Sequence, residues 1–376
     1  MKIAILTNTL YKGRGMDYVA EQQALELCKK GHDVAIYTFD YDHSIDNVPI
    51  NKLNWPKGNL VNFIYRLLYP LDLHKNWVYS TKLKEYDVIV SHFFPITYIS
   101  HLTKVRYSSV KVIYYDHGVS DNQGEPIIRK IYLKIISSLM LWTISNVDGI
   151  VSISKYCQDQ LRNIDTKKWV VYNTIDIGKF DYTFSDIDAN LCHVLNDNCP
   201  KFLYVGVMAP YKGIDYLVKS FKMVAQKYPN AKLYLVGSPS YGFDLSQYIS
   251  ECKNIVYLGR VSDPALGYLY HKCDVYVTAS TWEGFNLPLV EAQLMGTPGV
   301  AFDVGAHGEV LDSDNTGLLV KPFSVDKFAE AMCYVYQNKV RMGNNAKLWA
   351  KRFSISRSTE SLNDIVESLQ EEGDDY

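Results

Sequence analysis

The sequence predicts an α/β chain of two domains, each a parallel sheet covered by helices on both faces. Three observations predict it. The chain has 376 residues, more than one hydrophobic core usually serves. Short apolar runs alternate with amphipathic segments of helical length. A polar stretch, about residues 181–200, interrupts that alternation before it restarts.

The elements follow in order. Residues 2–7 read as a first buried strand, and residues 18–30 as a helix with Val19, Ala24, Leu25 and Cys28 on one face. Gly31-His32 ends that helix, and residues 33–38 form the next strand. Apolar runs at 87–91, 110–115 and 149–153 continue a first domain expected over residues 1–180. Strands at 201–205, 231–236, 254–258, 274–280 and 299–302 build a second, expected over 181–350. Residues 349–369 read as an amphipathic helix. The closing segment, 351–376, is expected to return to the first domain and to end in a solvated acidic tail at 371–375. In such folds ligands sit at the carboxyl ends of the strands, here in a cleft between the two domains.

Composition narrows the classes. With 47% hydrophobic and 21% charged residues the chain is globular rather than disordered. A formal net charge of -2 gives no global basic field for nucleic acid. The seven cysteines are odd in number and form no CxxC pair, so free thiols in a reducing compartment are expected, not disulfides or zinc. The apolar run at residues 2–7 is too short for a signal peptide, and no stretch is long enough to span a membrane. A cytoplasmic protein is expected.

The most telling segment runs from Glu283 to Glu291, with Gly284, Phe285, Asn286 and Leu287 following the first carboxylate. A strand-like run precedes it, a helix-like run (289–295) follows, and Gly296-Thr297-Pro298 closes the unit. A strand turning tightly into a helix offers the helix's first N–H groups to phosphate. A Glu one or two turns on can reach hydroxyls of the same ligand. The chemistry fits a phosphate-linked, hydroxyl-rich molecule, although an ordinary junction with two exposed Glu has the same spacing. Earlier, a strand ends at Gly206, and Lys212-Gly213 precedes a helix (214–228), where a lysine can neutralise phosphate as a point charge.

Together these motifs resemble the retaining glycosyltransferases of family 4, also called group 1. The resemblance runs through most of the second domain: Gly237, then Gly259-Arg260-Val261, Cys273-Asp274, Ser280, Gly305 to Glu309, and Thr316-Gly317 stand in the family's order. The first domain matches more loosely, through Gly15, His117-Gly118 and Asn173 to Asp176. The resemblance implies the GT-B fold, two Rossmann-like βαβ domains facing a deep interdomain cleft. It also implies a nucleotide-sugar donor, UDP- or GDP-linked, and no metal or other cofactor.

Roles follow by the same resemblance. Glu291 would hold the donor ribose, and the N–H groups from Gly284 to Leu287 would receive the distal phosphate and sugar. Glu283 would contact the sugar near its 3- and 4-hydroxyls. Lys212 would stabilise the leaving diphosphate. His117 would touch the sugar from the opposite wall, Gly15 would approach phosphate, and backbone near Arg260 and Val261 would meet the base. Two departures stand out. Val207 occupies the place of an Arg that usually pairs with the Lys, and Arg14 replaces the first Gly of a Gly-Gly loop. Arg14, or else Arg260, is expected to supply the missing charge.

The transition state of glycosyl transfer is oxocarbenium-like, and negative charge builds on the departing phosphate. Lys212 and a helix N-terminus can absorb it where a metal would otherwise serve. Asp312-Ser313-Asp314 is loop-like and lacks the strand-end setting of a metal-binding pair. The resemblance implies retention, with the phosphate oxygen taking the acceptor proton, so no side chain stands out as a base. Residues 62–71 and 127–142 mix large apolar groups with cations (Arg129, Lys130, Lys134), as core helices and interfacial helices both do. An acceptor that is a glycan or lipid-linked sugar, and an anionic membrane surface, are the expected partners. The readings weighed against transfer are a GT-B phosphorylase, a sugar-nucleotide epimerase, and a non-catalytic subunit binding nucleotide or glycan, for which Val207 is the support. The absence of a GxGxxG after either first strand argues against a nicotinamide dehydrogenase.

Overall fold

Two all-parallel sheets organise the chain. The computed structural model describes residues 1–56, 58–119, 127–240, 242–250, 252–354 and 362–374. Among these, unit 1 takes 1–119, 127–173 and 362–374, and unit 2 takes 174–354. The division falls at 173/174, seven residues before the expected 180/181, and residues 351–354 stay with unit 2.

Unit 1 runs β1 (Lys2–Leu10), α1 (Gly15–Lys29), β2 (Asp33–Tyr41), β3 (Ile50–Lys52), α2 (Asn59–Leu68), α3 (Leu73–Leu83), β4 (Val88–Ser91), α4 (Thr97–Arg106), β5 (Lys111–Asp116), α5 (Ile127–Thr143), β6 (Gly149–Ser152), α6 (Lys155–Gln160) and β7 (Lys167–Val170). Its seven-stranded sheet has the order β3-β2-β1-β4-β5-β6-β7. Unit 2 runs α7 (Ala189–Leu195), β8 (Lys201–Val205), α8 (Ile214–Lys227), β9 (Lys232–Val236), α9 (Ser246–Ile249), β10 (Ile255–Gly259), α10 (Asp263–Lys272) and β11 (Val275–Thr278). It continues with α11 (Leu287–Leu294), β12 (Gly299–Phe302), α12 (His307–Val310), β13 (Gly317–Val320), α13 (Val325–Gln337) and α14 (Lys339–Ala350). Its six strands stand in the order β10-β9-β8-β11-β12-β13. These are two Rossmann-like domains, and in each the strand order reverses beside the first strand, between β1 and β4 and between β8 and β11.

The central strands are covered on both faces, which is why they read as unbroken apolar runs: Ile3 to Leu6 and Val88 to Val90 are fully buried. α8 buries Ile214, Leu217, Val218, Phe221 and Val224 at helical spacing against the second sheet. The strands that the apolar pattern did not announce, β3, β7 and β13, all lie at sheet edges. Edge strands are short and half-covered, so they carry a weak apolar signature.

Three expectations are corrected. The buried face of α1 is Val19, Ala20, Gln23, Ala24 and Leu27, whereas Leu25 and Cys28 are only half-buried. The span 349–369 is not one helix: α14 ends at Ala350, a 3-10 turn follows (Lys351–Phe353), and α15 (Leu362–Asp374) is separate, with 355–361 outside the described residues. α15 belongs to unit 1, packs on α1, and joins it through His32 Nε2 and Asn363 Oδ1, 2.8 Å apart. The acidic residues Glu371 to Asp374 continue α15 rather than forming a tail.

Candidate functional site

In unit 2 the site is built on the loops that follow β8 and β11, beside the reversal of strand order. The β8 loop ends in a 3-10 turn, Pro210–Lys212, and Gly213 takes φ 62°. A Cβ at Gly213 would lie 2.0 Å from the carbonyl oxygen of Ala279, so only glycine lets this loop lie against the end of β11. Thr281 then ties the loops together by donating its N–H (2.8 Å) and its hydroxyl (3.1 Å) to the Tyr211 carbonyl.

This packing brings Lys212 and Glu283 together, with Nζ 2.6 Å from Oε1. Glu283 is 7% exposed, so the pair is largely out of water. Burial works against the Lys212 ammonium, but the Glu283 carboxylate and the Tyr211 phenol outweigh it, and the Lys212 pKa is raised. The lysine is therefore a fixed positive charge. Behind Glu283, its carbonyl accepts from Ala306 N–H at 3.0 Å, and a Cβ on Gly305 would lie 2.1 Å from the same oxygen.

Asn286 caps α11 from a left-handed conformation (φ 77°). Its Oδ1 accepts the Leu289 N–H at 3.2 Å, and its Nδ2 lies 2.8 Å from His307 Nε2. His307 Nδ1 sits 2.6 Å from the Phe302 carbonyl, which can only accept, so Nδ1 carries the proton and Nε2 receives the Asn286 amide. Burial lowers the His307 pKa and keeps this arrangement neutral. The Glu carboxylates are thus not the exposed pair of an ordinary junction. Beyond Leu287, Pro288 has no N–H and the Leu289 N–H is already bonded to Asn286. One turn on, Glu291 is 6% exposed and bonds Lys179 Nζ at 2.9 Å and the Tyr270 hydroxyl at 2.8 Å.

Val261 lines a cavity of about 370 Å³ with Leu191, Val194 and Leu258, beside Asp186 and Asn190. Arg260 precedes it in the β10–α10 loop, where Ser262 caps α10. Val207 is 41% exposed, its carbonyl accepts the Tyr204 hydroxyl at 2.8 Å, and its side chain brings no charge. Asp312 and Asp314 form a turn: Thr316 N–H donates to the Asp312 carbonyl (2.8 Å), and Asp314 takes φ 71°. No group of three or more His, Cys, Asp or Glu that could hold a metal ion occurs among the described residues.

Unit 1 places the remaining candidates on the loops after β1, β4 and β5. Arg14 precedes α1 with its guanidinium over the Tyr11 ring, 4.4 Å from the centroid. Gly15 opens α1. Two backbone donors of this loop are already used: Tyr11 N–H bonds Asp17 Oδ2 (2.8 Å) and Lys12 N–H bonds Asp42 Oδ1 (3.1 Å). His117, just past β5, is 5% exposed, and its Nε2 lies 2.8 Å from His92 Nδ1. Gly118 N–H bonds Asp116 Oδ1 at 2.9 Å, and burial pushes that carboxyl up to about 6.

Sequence reasoning missed His92, Lys179, Tyr270 and His307. His92 directly follows β4 at the reversal point, a place that could have marked it. The others touch the site from elements distant in sequence, and no spacing announces them. The two stretches with interfacial composition are α2 and α5, which touch where Phe63 stacks on Tyr132 with 3.8 Å between ring centroids. Val61, Ile64 and Leu68 on α2 are exposed, as are Ile127, Ile128, Ile131 and Ile135 on α5. Lys130 and Lys134 stand exposed among them, while the side chain of Arg129 lies outside the described residues. Neither helix contains a carboxylate. No helix among the described residues is long and apolar enough to cross a membrane.

Comparison with known proteins gives one consistent picture. A family model described as Glycosyltransferase Family 4 matches residues 13–179, and one described as Glycosyl transferases group 1 matches residues 193–349. An uncharacterized glycosyltransferase of Methanocaldococcus jannaschii is 26% identical over 353 residues, covering 88% of this chain and 87% of that one. The capsular polysaccharide biosynthesis glycosyltransferase CapM of Staphylococcus aureus is 30% identical over 164 residues, 42% of each chain. Among solved structures, Anabaena HepE in complex with UDP-glucose superposes with a TM-score of 0.75 at 18% identity, covering 100% of this chain and 98% of that one, a likeness of fold.

Proposed function

Since the chain belongs to glycosyltransferase family 4, the group 1 glycosyl transferases of GT-B fold, we propose that it moves a hexose from a nucleoside-diphosphate sugar to a glycan or lipid-linked acceptor, with retention and without a metal. The observation that carries this reading is the buried Lys212–Glu283 pair at the reversal point of the second sheet, just before the helix α11 that carries Glu291. The work of CapM on capsular polysaccharide supports an extracellular glycan as the destination, and HepE, solved with UDP-glucose, supports a UDP-linked donor.

In this reading the groups that bind the ligand also pair with one another. Lys212 holds Glu283, and Lys179 holds Glu291. The donor exchanges these partners: its diphosphate takes the Lys212 ammonium, its sugar hydroxyls take Glu283, and its ribose takes Glu291. As the glycosidic bond breaks, charge grows on the phosphate beside a lysine that is already in place, so little reorganisation is needed. The departing phosphate oxygen takes the proton of the acceptor hydroxyl, whose oxygen bonds the anomeric carbon on the face the phosphate leaves, and this gives retention. The decisive experiment is a panel of UDP- and GDP-sugars scored for hydrolysis without acceptor and for the anomeric configuration of the product. Thermal stabilisation by a donor with neither hydrolysis nor transfer would favour the non-catalytic binding subunit instead.

Two outcomes test the charge supply. Turnover should survive EDTA without loss, because Lys212 occupies the role of a cation; a fall restored by Mg²⁺ or Mn²⁺ would remove metal independence from the proposal. Arg14→Ala should weaken nucleoside diphosphate affinity by about tenfold, the scale of one charge-assisted contact. Unchanged affinity and turnover would rule Arg14 out as the substitute for the missing arginine and turn attention to Arg260.

The reading also places the protein in the cytoplasm, peripheral to the inner face of the membrane. The support is the carboxylate-free α2–α5 face, where apolar side chains surround Lys130 and Lys134. The protein should co-sediment with vesicles containing anionic phospholipid and not with purely zwitterionic ones, and Ile128→Glu with Ile131→Glu should abolish this while donor hydrolysis in solution is kept. Equal recovery with both vesicle types, or none with either, would remove the anionic surface from the partners.

A further inference from the structure

The buried groups of unit 1 form a chain that ends at His117, the residue expected to touch the transferred sugar. Gln23 projects from α1, His92 follows β4, and His117 follows β5. They are 5%, 2% and 5% exposed. His92 Nε2 lies 3.1 Å from Gln23 Oε1, and His92 Nδ1 lies 2.8 Å from His117 Nε2. The aromatic rings of Tyr115 and Phe93 enclose the pair: Tyr115 lies 5.3 Å from His92 between ring centroids, and Phe93 stacks on His117 at 5.5 Å.

With the Gln23 oxygen facing His92, proton counting gives this chain a direction. The Gln23 oxygen can only accept, so the facing Nε2 of His92 must carry the proton. Burial and the neighbouring ring lower the pKa of His92, and burial pushes that of His117 down to about 3, so both rings are neutral at neutral pH and carry one N–H each. His92 Nδ1 is then a bare acceptor. His117 must donate to it from Nε2, which leaves His117 Nδ1 without a proton. Nδ1 makes no hydrogen bond among the described residues and is not fully enclosed.

We propose that Gln23 and His92 are positioning residues that hold His117 in its Nε2–H tautomer, so that Nδ1 offers a lone pair and selects a sugar hydroxyl over a carboxylate or carbonyl at that place. The selection half rests on the reading that His117 touches the transferred sugar. The consequence is discrimination by chemistry: a neutral hexose is accepted, and a donor with an acceptor-only group facing Nδ1 is rejected, because two lone pairs meet in a dry site.

The test begins with the free protein. In ¹⁵N-histidine-labelled full-length chain at neutral pH, His117 Nδ1 should show the shift of an unprotonated nitrogen and Nε2 that of a protonated one, assigned by loss of these signals in His117→Asn. A protonated Nδ1 overturns the proposal. Gln23→Glu keeps an acceptor and should keep the tautomer. Gln23→Leu should give a mixture of tautomers and lower donor kcat/KM about tenfold, with an unchanged melting temperature marking a folded protein; a single unchanged tautomer in a folded Gln23→Leu also overturns it. If that variant does not fold, Gln23→Met gives the same reading. Donor analogues with each hydroxyl replaced in turn by a methoxy group separate the two halves. One analogue should lose turnover in the native enzyme and lose less in Gln23→Leu. The expected tautomer with no such analogue overturns the contact between His117 and sugar while leaving the relay intact.

Discussion

Lys212→Met is expected to lower kcat for sugar transfer by two to three orders of magnitude, about the loss that follows removal of one preorganised group facing developing charge. The same substitution strands Glu283 in a setting where it is 7% exposed. Breaking a buried pair from one side costs about 3 kcal/mol or more, so the variant should also melt at a lower temperature. These effects are separable. Adding Glu283→Gln removes the stranded charge and should restore most of the melting temperature, yet it should restore none of the activity. A Lys212→Met enzyme with near-native kcat would show that the leaving diphosphate is stabilised elsewhere. Recovery of activity in the double variant would show that Lys212 serves only to neutralise Glu283.

Gly213→Ala is expected to damage unit 2 more than its single methyl group suggests. Its Cβ would lie 2.0 Å from a backbone oxygen at the end of β11, an approach that no rotamer relieves. The loop must lift, which breaks the Thr281–Tyr211 tie and draws Lys212 away from Glu283. A loss of about 2–3 kcal/mol corresponds to a melting point roughly 4–12 °C lower for a unit of this size. Gly31→Ala is the comparison: φ there is 90°, but nothing lies within 4 Å of the added Cβ. That variant carries backbone strain alone, roughly 1–2 kcal/mol. If the two substitutions shift the melting temperature equally, the contact with Ala279 is not what requires glycine at position 213.

What the sequence made legible follows physical rules. The central strands were readable because burial on both faces forces uninterrupted apolar runs, and the Lys-Gly and Glu-Gly junctions because few residues tolerate those backbone turns. The buried face of α1 includes Gln23, which a pattern of apolar positions does not select. Gln23 is buried with its amide oxygen 3.1 Å from His92 Nε2, which gives the polar side chain a donor inside the unit. Periodicity weighs hydrophobicity one residue at a time and cannot register a polar side chain whose partner lies sixty-nine positions away. The partners of Glu291 were hidden for the same reason: Lys179 and Tyr270 reach it from a 3-10 turn and from α10, respectively.

The place of α15 bears on how the protein is made. This helix completes unit 1 by packing on α1, yet the ribosome makes it only after every strand of unit 2. Unit 2 is contiguous among the described residues and can close its sheet while the chain is still growing. The earlier-made unit must wait, with the flank of α1 that α15 packs on still uncovered. Vectorial synthesis therefore matures the two units in the reverse of their order in the sequence, and a nascent chain stalled before residue 362 should expose the first unit, not the second, to chaperones and proteases.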